Sequence, residues 1–365
     1  MARVLMAIRA TEGGAFNHVV RLSRELAARG DDVAIVTPLP AIGAVPEVGV
    51  LQLPMAREVS AFADAGAVAR FARIVGRFEP DLVHAHGSKG AAVARAARLA
   101  HPRVPVVHSP HEYPFDNYFS SARRKRLYWG YERALAPLTT LALCVCEAEA
   151  RHAERLRVRR VTVVHNGIRP LAAESVDPRV AEIAGAGPVI AAVAELRPAK
   201  GMISLVDAMP EILRRHPEAR LVIAGDGSER GALERRVAEL GIEDRVTLLG
   251  YTRNVAEVLA GATLFANPAW SESLPYSVLE AMSMSLPVVA TDVGGTSEAV
   301  RDGETGLVVA PHDPAALAAA IALLLDDPAR GERMGRAGRE LSLEEFSYER
   351  MTAGTFAAYA EVGVQ

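Results

Sequence analysis

The chain holds only two cysteines, Cys144 and Cys146, among its 365 residues. That excludes a disulfide framework, and no nearby Cys or His pair completes a zinc site of the spaced-ligand kind. Residues two apart on a strand share a face, so the pair reads as buried, reduced core in a reducing compartment. Lysine is scarce as well. Of 41 basic residues only Lys89, Lys125 and Lys200 are lysines, so Arg serves wherever a generic positive charge is needed and a retained Lys stands out. Long hydrophobic runs are missing. Uncharged stretches such as residues 134–146 fall short of the roughly 20 residues a spanning helix needs. The apolar run at residues 1–8 is too short for a signal peptide. A cytoplasmic protein is expected, at most peripheral to a membrane. A net charge of −3 points away from nucleic acid.

What is present is an alternation. A chain of this length exceeds the roughly 250–300 residues at which one core splits, and half of it is hydrophobic. A strand at 3–7, a Gly-containing loop, a helix at 15–29 and a strand at 33–37 make a βαβ unit. Strand-like runs follow at 82–86, 104–108, 141–146 and 161–164, with helical stretches at 65–78 and 91–99 between them. Pro170, Pro178, Gly185, Gly187 and Pro188 then break the pattern and read as a linker. The theme restarts with a strand at 189–193, a helix at 202–215 and a strand at 220–224 ending in Gly225-Asp226-Gly227. Further strands are expected at 246–249, 263–266, 287–290 and 307–309, and helices at 317–325 and 344–362. Strands alternating with helices imply parallel sheets. The expected fold class is α/β: two Rossmann-like doubly wound domains facing a cleft, with a C-terminal helix crossing back to the first domain. The expected boundaries are 1–169, 170–346 and 347–365.

The segment Trp270-Ser271-Glu272-Ser273-Leu274-Pro275-Tyr276-Ser277-Val278-Leu279-Glu280 carries two glutamates eight positions apart. Glu272 falls in a strand-to-helix loop and Glu280 on the helix that follows. Loops at the carboxyl ends of strands, followed by helix N-termini, bind anionic ligands in open α/β sheets. Carboxylates accept hydrogen bonds from neighbouring hydroxyls, which suits a sugar or a ribose.

This spacing resembles the E-x7-E motif of retaining glycosyltransferases of family 4, which have the GT-B fold. The resemblance covers essentially the whole chain, in five segments in the family's order. Glu12-Gly13-Gly14 is similar to the N-terminal Gly-Gly loop, with Gly14 implied near the donor. Val83-His84-Ala85-His86-Gly87 and Ser109-Pro110-His111-Glu112 resemble two signatures at strand ends, and the resemblance places His111 over the donor sugar. Val164-His165-Asn166-Gly167-Ile168 resembles the turn into the linker. Glu195-Leu196-Arg197-Pro198-Ala199-Lys200-Gly201 resembles the loop that holds the donor diphosphate. Lys200 matches the family's Lys; Glu195 stands where the family has Arg, so Glu195 must point away or pair with a cation, with Arg197 the implied helper. In the fifth segment the resemblance assigns Glu272 to the sugar hydroxyls, Glu280 to the ribose, and the backbone near Ser273 and Leu274 to the diphosphate. Gly227 and Tyr251 match positions near the nucleobase.

The implied activity is that of a hexosyltransferase: a sugar passes from a nucleotide-diphosphate donor, UDP favoured, to a hydroxyl acceptor with retention. His111, Glu272 and Lys200 are the implied catalytic residues. No cofactor is implied. No Asp-x-Asp occurs in the chain, so no metal is expected at the diphosphate, where cations and helix dipoles act instead. The acceptor is expected on the first domain and is a glycan, a lipid-linked molecule or a small molecule. Arg123-Arg124-Lys125-Arg126-Leu127-Tyr128-Trp129 could meet anionic lipid, grip an acceptor phosphate, or be a solvated helix face paired with Glu132. Two other functions stand beside transfer. One is a sugar-nucleotide epimerase on the same fold; the other is a catalytically weak binding subunit, which Glu195 keeps open.

Overall fold

A computed structural model describes residues 1–11, 13–38, 48–56, 61–116 and 121–364; Glu12 of the Gly-Gly loop lies outside them. The chain forms two compact units, Met1–His165 with Met351–Gln365, and Asn166–Arg350.

The first unit is built on β1 (Arg3–Ile8), β2 (Asp32–Thr37), β3 (Gly49–Gln52), β4 (Leu82–His86), β5 (Val106–Ser109), β6 (Leu141–Cys144) and β7 (Val161–Val163). They pair in the order β3-β2-β1-β4-β5-β6-β7, all parallel. Both faces are covered, which is why the strands read as near-continuous apolar runs. Val4, Met6 and Ile8 of β1 pack with Val19, Leu22 and Leu26 on one side. Leu5 and Ala7 pack with Phe71, Val75 and Ala91 on the other. Gly90 faces β1 so closely that an added Cβ would lie 3.0 Å from the Ala7 carbonyl oxygen. The C-terminal helix Tyr348–Glu361 returns to this unit. Its Tyr359 hydroxyl meets His84 Nδ1 at 2.7 Å, and Arg160 donates to the Glu361 carbonyl at 2.7 Å.

The second unit repeats the plan with β8 (Val189–Val193), β9 (Arg220–Ala224), β10 (Val246–Gly250), β11 (Leu264–Asn267), β12 (Val288–Thr291) and β13 (Gly306–Val309). Their order is β10-β9-β8-β11-β12-β13, again parallel throughout. In each sheet the strand order reverses once, between β1 and β4 and between β8 and β11. Ligands of open α/β sheets bind outside the carboxyl ends of the strands at such reversals.

Several elements differ from expectation. β3 escapes the hydrophobic pattern because it has four residues and no fully buried one. The linker contains a helix, Pro178–Ala184, started by Asp177, whose carboxylate accepts from the Arg179 N–H, and by Pro178 in the first turn. A helix also spans Pro328–Glu344, where none was expected. Glu132 does not serve the basic helix Ala122–Leu135 as a surface partner. It is buried against Arg95 of the helix Gly87–Ala97 at 2.8 Å, and both side chains are almost wholly excluded from solvent. Tyr128 and Trp129 turn inward as well, with Trp129 edge-on to Phe115 at 4.8 Å between ring centroids. Leu127 is left 70% exposed among the arginines.

The Arg95–Glu132 pair predicts a stability effect. Removing one partner strands a buried charge, which costs about 3–5 kcal/mol. Glu132→Ala should lower unfolding stability by that amount in urea titrations; a loss under about 1 kcal/mol would mean that Arg95 finds water or another acceptor.

Candidate active site

At the strand-order reversal of the second unit, the loop after β8 lies against the loop after β11. The first loop ends in a short 3₁₀ turn, Pro198–Lys200, and Gly201 at φ 61°. A Cβ at Gly201 would lie 2.1 Å from the Pro268 carbonyl oxygen, so glycine is required both by the left-handed backbone and by the closeness of the loops. The Trp270 and Ser271 N–H groups both donate to the Ala199 carbonyl, at 2.8 and 3.2 Å. The Trp270 indole N–H donates to Ser204 Oγ at 3.1 Å. This stitching brings the Lys200 ammonium onto a carboxylate oxygen of Glu272 in a direct ion pair. Both side chains are mostly buried, 14% and 13% exposed.

The backbone around the pair is held on its other sides. Gly294, at φ 56°, passes so close that a Cβ would sit 1.7 Å from the Glu272 carbonyl oxygen. The Gly295 N–H donates to Ser273 O at 2.6 Å, and Asn166 Nδ2 donates to Leu274 O at 2.8 Å. Two helices start here, Met202–Arg215 after Gly201 and Tyr276–Ser283 after Pro275, and neither has a side-chain cap. Uncapped N-termini keep N–H donors and positive dipole ends for an anion. Glu280 lies half-buried in the second of these helices.

Glu195 pairs with Arg197, Oε2 to Nε at 3.1 Å, at a half-exposed position. The carboxylate is thus compensated within its own loop, and Arg197 is engaged with it. The glycine loop after β9 joins the same group: the Leu196 N–H donates to Asp226 O and the Glu229 N–H to Leu196 O, both at 2.9 Å. Gly225 and Gly227 come so near the first loop that added Cβ atoms would fall 1.8 Å from Ala194 O and 2.4 Å from Leu196 O. Tyr251 follows Gly250, whose carbonyl accepts from the Gly225 N–H at 2.8 Å, and its side chain is 76% exposed.

Gly14 and His111 belong to the first unit. Gly14 lies in the opening turn of the helix Gly13–Ala28. His111 follows β5 with φ 48°, and Glu112 with φ 91°, two consecutive non-glycine residues in a costly region of backbone space. Buried Glu149 offsets part of that cost by accepting from the Glu112 N–H at 2.6 Å and the Val145 N–H at 3.0 Å. His111 Nε2 lies 3.0 Å from His86 Nδ1, and the His18 ring is 5.0 Å from the His111 ring. His84 is satisfied separately by Tyr359 and by Ser109 Oγ at 2.9 Å. Residue spacing does not reveal His18 as a member of this group. Its only sequence signal is a position one helical turn past the Gly-Gly loop.

Residues 12–170 match the family described as Glycosyltransferase Family 4, and residues 175–341 match Glycosyl transferases group 1. The chain belongs to glycosyltransferase family 4. Glycogen synthase of Mycobacterium tuberculosis is 28% identical over 95% of this chain and 91% of its own. D-inositol 3-phosphate glycosyltransferase of Corynebacterium efficiens is 29% identical over 96% and 90%. The match to alpha-D-kanosaminyltransferase of Streptomyces kanamyceticus, 33% identical, spans 48% of this chain and about half (46%) of that protein. Among solved structures, HepE of Anabaena in complex with UDP and glucose has a TM-score of 0.84 at 19% identity, covering 99% of this chain and 100% of its own. Sucrose-phosphate synthase of Thermosynechococcus elongatus has a TM-score of 0.84 at 21% identity, over 99% and 98%. The fold of this family 4 glycosyltransferase is accordingly GT-B.

The histidines of the first unit generate a pH prediction. Burial, with the Arg21 charge second, lowers the His18 pKa from 6.5 to about 4. Burial likewise pushes His84, His86, His108 and His111 well below the ordinary imidazole range. Below pH 6.5 the unfolded chain takes up protons that the folded unit refuses. The stability held by these neutral rings is therefore complete above that pH and is lost as pH falls toward 4. Denaturant unfolding should show lower stability at about pH 5 than at about pH 7, and equal or greater stability at the lower pH would contradict the burial argument.

Proposed function

We propose that the protein transfers a sugar from a UDP-sugar to a hydroxyl acceptor, with retention at the anomeric carbon and without a metal at the diphosphate. The observation that carries this reading is the Lys200–Glu272 ion pair at the strand-order reversal, beside two uncapped helix N-termini. Lys200 and the N–H groups near Ser273 and Leu274 stabilise the departing diphosphate, Arg197 assists, and Glu272 holds sugar hydroxyls. Glu280 takes the ribose, while Gly227 and Tyr251 flank the base. His111 and Gly14 keep the assignment to the donor that the family resemblance implies. UDP is favoured because HepE, with the same fold, is described in complexes with UDP and with UDP-glucose. The second reading is a GDP-sugar donor. A GDP-mannose-dependent mannosyltransferase of Mycolicibacterium smegmatis is 38% identical over 45% of this chain.

In the step, the acceptor oxygen forms a bond to the anomeric carbon on the face from which the diphosphate leaves. The bond from that carbon to the phosphate oxygen breaks, and the acceptor proton passes to the leaving oxygen. Inversion would need a base on the opposite face. Double displacement would need a second carboxylate about 5 Å from the first, and Glu280 is given to the ribose. The acceptor is a glycan, a lipid-linked molecule or a small molecule, and binds the first unit. Peripheral membrane contact belongs to the same proposal, through exposed Arg123, Arg124, Arg126 and Leu127, at about 1 kcal/mol per cation on anionic lipid.

The test is turnover of a panel of UDP- and GDP-sugars in excess chelator, with product read by proton NMR. An α-linked donor should yield an α-glycoside. Lys200→Ala should lower kcat by about 10²–10³, the size of losing one preorganised donor to developing charge. A β-glycoside, or activity that returns only with Mg²⁺ or Mn²⁺, would overturn the mechanism. A changed nucleotide sugar released without acceptor would favour the epimerase.

A further inference from the structure

Three imidazoles meet at the strand-order reversal of the first unit, and each comes from a different element. His18 is carried by the helix after β1, His86 ends β4, and His111 follows β5. One nitrogen from each lies within 4.8 Å of the other two. His18 and His86 are buried, 4% and 0% exposed, while His111 is partly open to solvent. His86 Nε2 is buried with no hydrogen-bond partner, and its Nδ1 faces a second imidazole nitrogen rather than an oxygen.

From this arrangement we propose that His18, His86 and His111 form a three-nitrogen site for a divalent transition metal of the zinc class. Neutral imidazole suits Zn²⁺, Cu²⁺ and Ni²⁺, and three protein ligands with one side open is the pattern of an exchangeable site. Zinc–nitrogen bonds of about 2.0–2.1 Å set ligand nitrogens roughly 3.4 Å apart in a tetrahedral site. His86 and His111, at 3.0 Å, lie slightly inside that spacing, and the third nitrogen lies within 4.8 Å of both, so small ring rotations bring the set to it. One consequence rests on the donor reading above. A metal held by His111 removes that ring from the donor sugar, so zinc should inhibit transfer rather than assist it.

The test uses the full chain, stripped with chelator and dialysed, titrated with Zn²⁺ by calorimetry and with Co²⁺ by visible absorption. One equivalent per chain is expected. His18→Gln, His86→Gln and His111→Gln should each weaken binding by at least the roughly 10–100-fold seen when ligand support is lost. Near-UV circular dichroism checks each variant. If His86→Gln fails to fold, the partly open His111 and the helix residue His18 carry the comparison. Absence of saturable binding at one equivalent, or unchanged affinity in His18→Gln and His111→Gln, overturns the site. In the activity arm, Zn²⁺ should inhibit the unsubstituted chain, and His18→Gln should lose that inhibition, each rate being referred to the same protein in chelator. Stoichiometric binding that leaves transfer untouched would uphold the metal site and overturn the placing of His111 on the donor sugar.

Discussion

The candidate site of the second unit is centred on one contact, the ion pair between Lys200 and Glu272. It exists because the sheet reverses its strand order between β8 and β11. That reversal lets the loops after those two strands lie side by side with no helix between them. Each charge is mostly buried, and each would be costly alone. Their pairing offsets the cost of burying each charge. In the proposed reading, a nucleotide sugar supplies each with a replacement partner, phosphate for the ammonium and hydroxyls for the carboxylate. A site whose charges are compensated before binding can exchange partners without leaving either uncompensated.

The surrounding backbone is arranged to keep that contact in register. Gly201 and Gly294 adopt left-handed conformations where a methyl group would collide with a carbonyl of the neighbouring loop. The Ala199 carbonyl accepts two N–H groups from the opposing loop. The ends of two helices remain without side-chain caps, an arrangement that costs stability in an isolated helix and leaves donors for an anion. The first unit shows the same topology with different chemistry. Its reversal gathers imidazoles in place of a cation and a carboxylate, and the backbone at His111 and Glu112 is held in costly φ regions by a buried Glu149.

Much of this was legible in the sequence because parallel strands covered on both faces leave uninterrupted apolar runs. The strands at 189–193 and 220–224 and the helix at 202–215 coincide with those in the structure. The placement of Glu272 in a loop and Glu280 on a helix followed from the same reading. β3 was not legible because four half-exposed residues carry no pattern. The helix Pro178–Ala184 was hidden by prolines and glycines that signal a linker, although Asp177-Pro178 is also a helix start. Glu132 looked like a surface partner because sequence places it beside arginines on its own helix, whereas burial gives it Arg95. The association of His18 with His86 and His111 depends on three chain-distant elements, and no local spacing encodes it.

The most direct measurement of the central claim is UDP affinity in variants that remove one or both members of the pair. If Lys200 serves the diphosphate and Glu272 serves the sugar, Lys200→Ala should weaken UDP binding by about 10–100-fold, the equivalent of a charge-assisted hydrogen bond. Glu272→Ala frees Lys200 from its internal partner. It should leave UDP affinity unchanged or tighter while abolishing sugar transfer. Calorimetry showing that Glu272→Ala weakens UDP as much as Lys200→Ala would mean that the pair is only a structural brace, and would contradict the account.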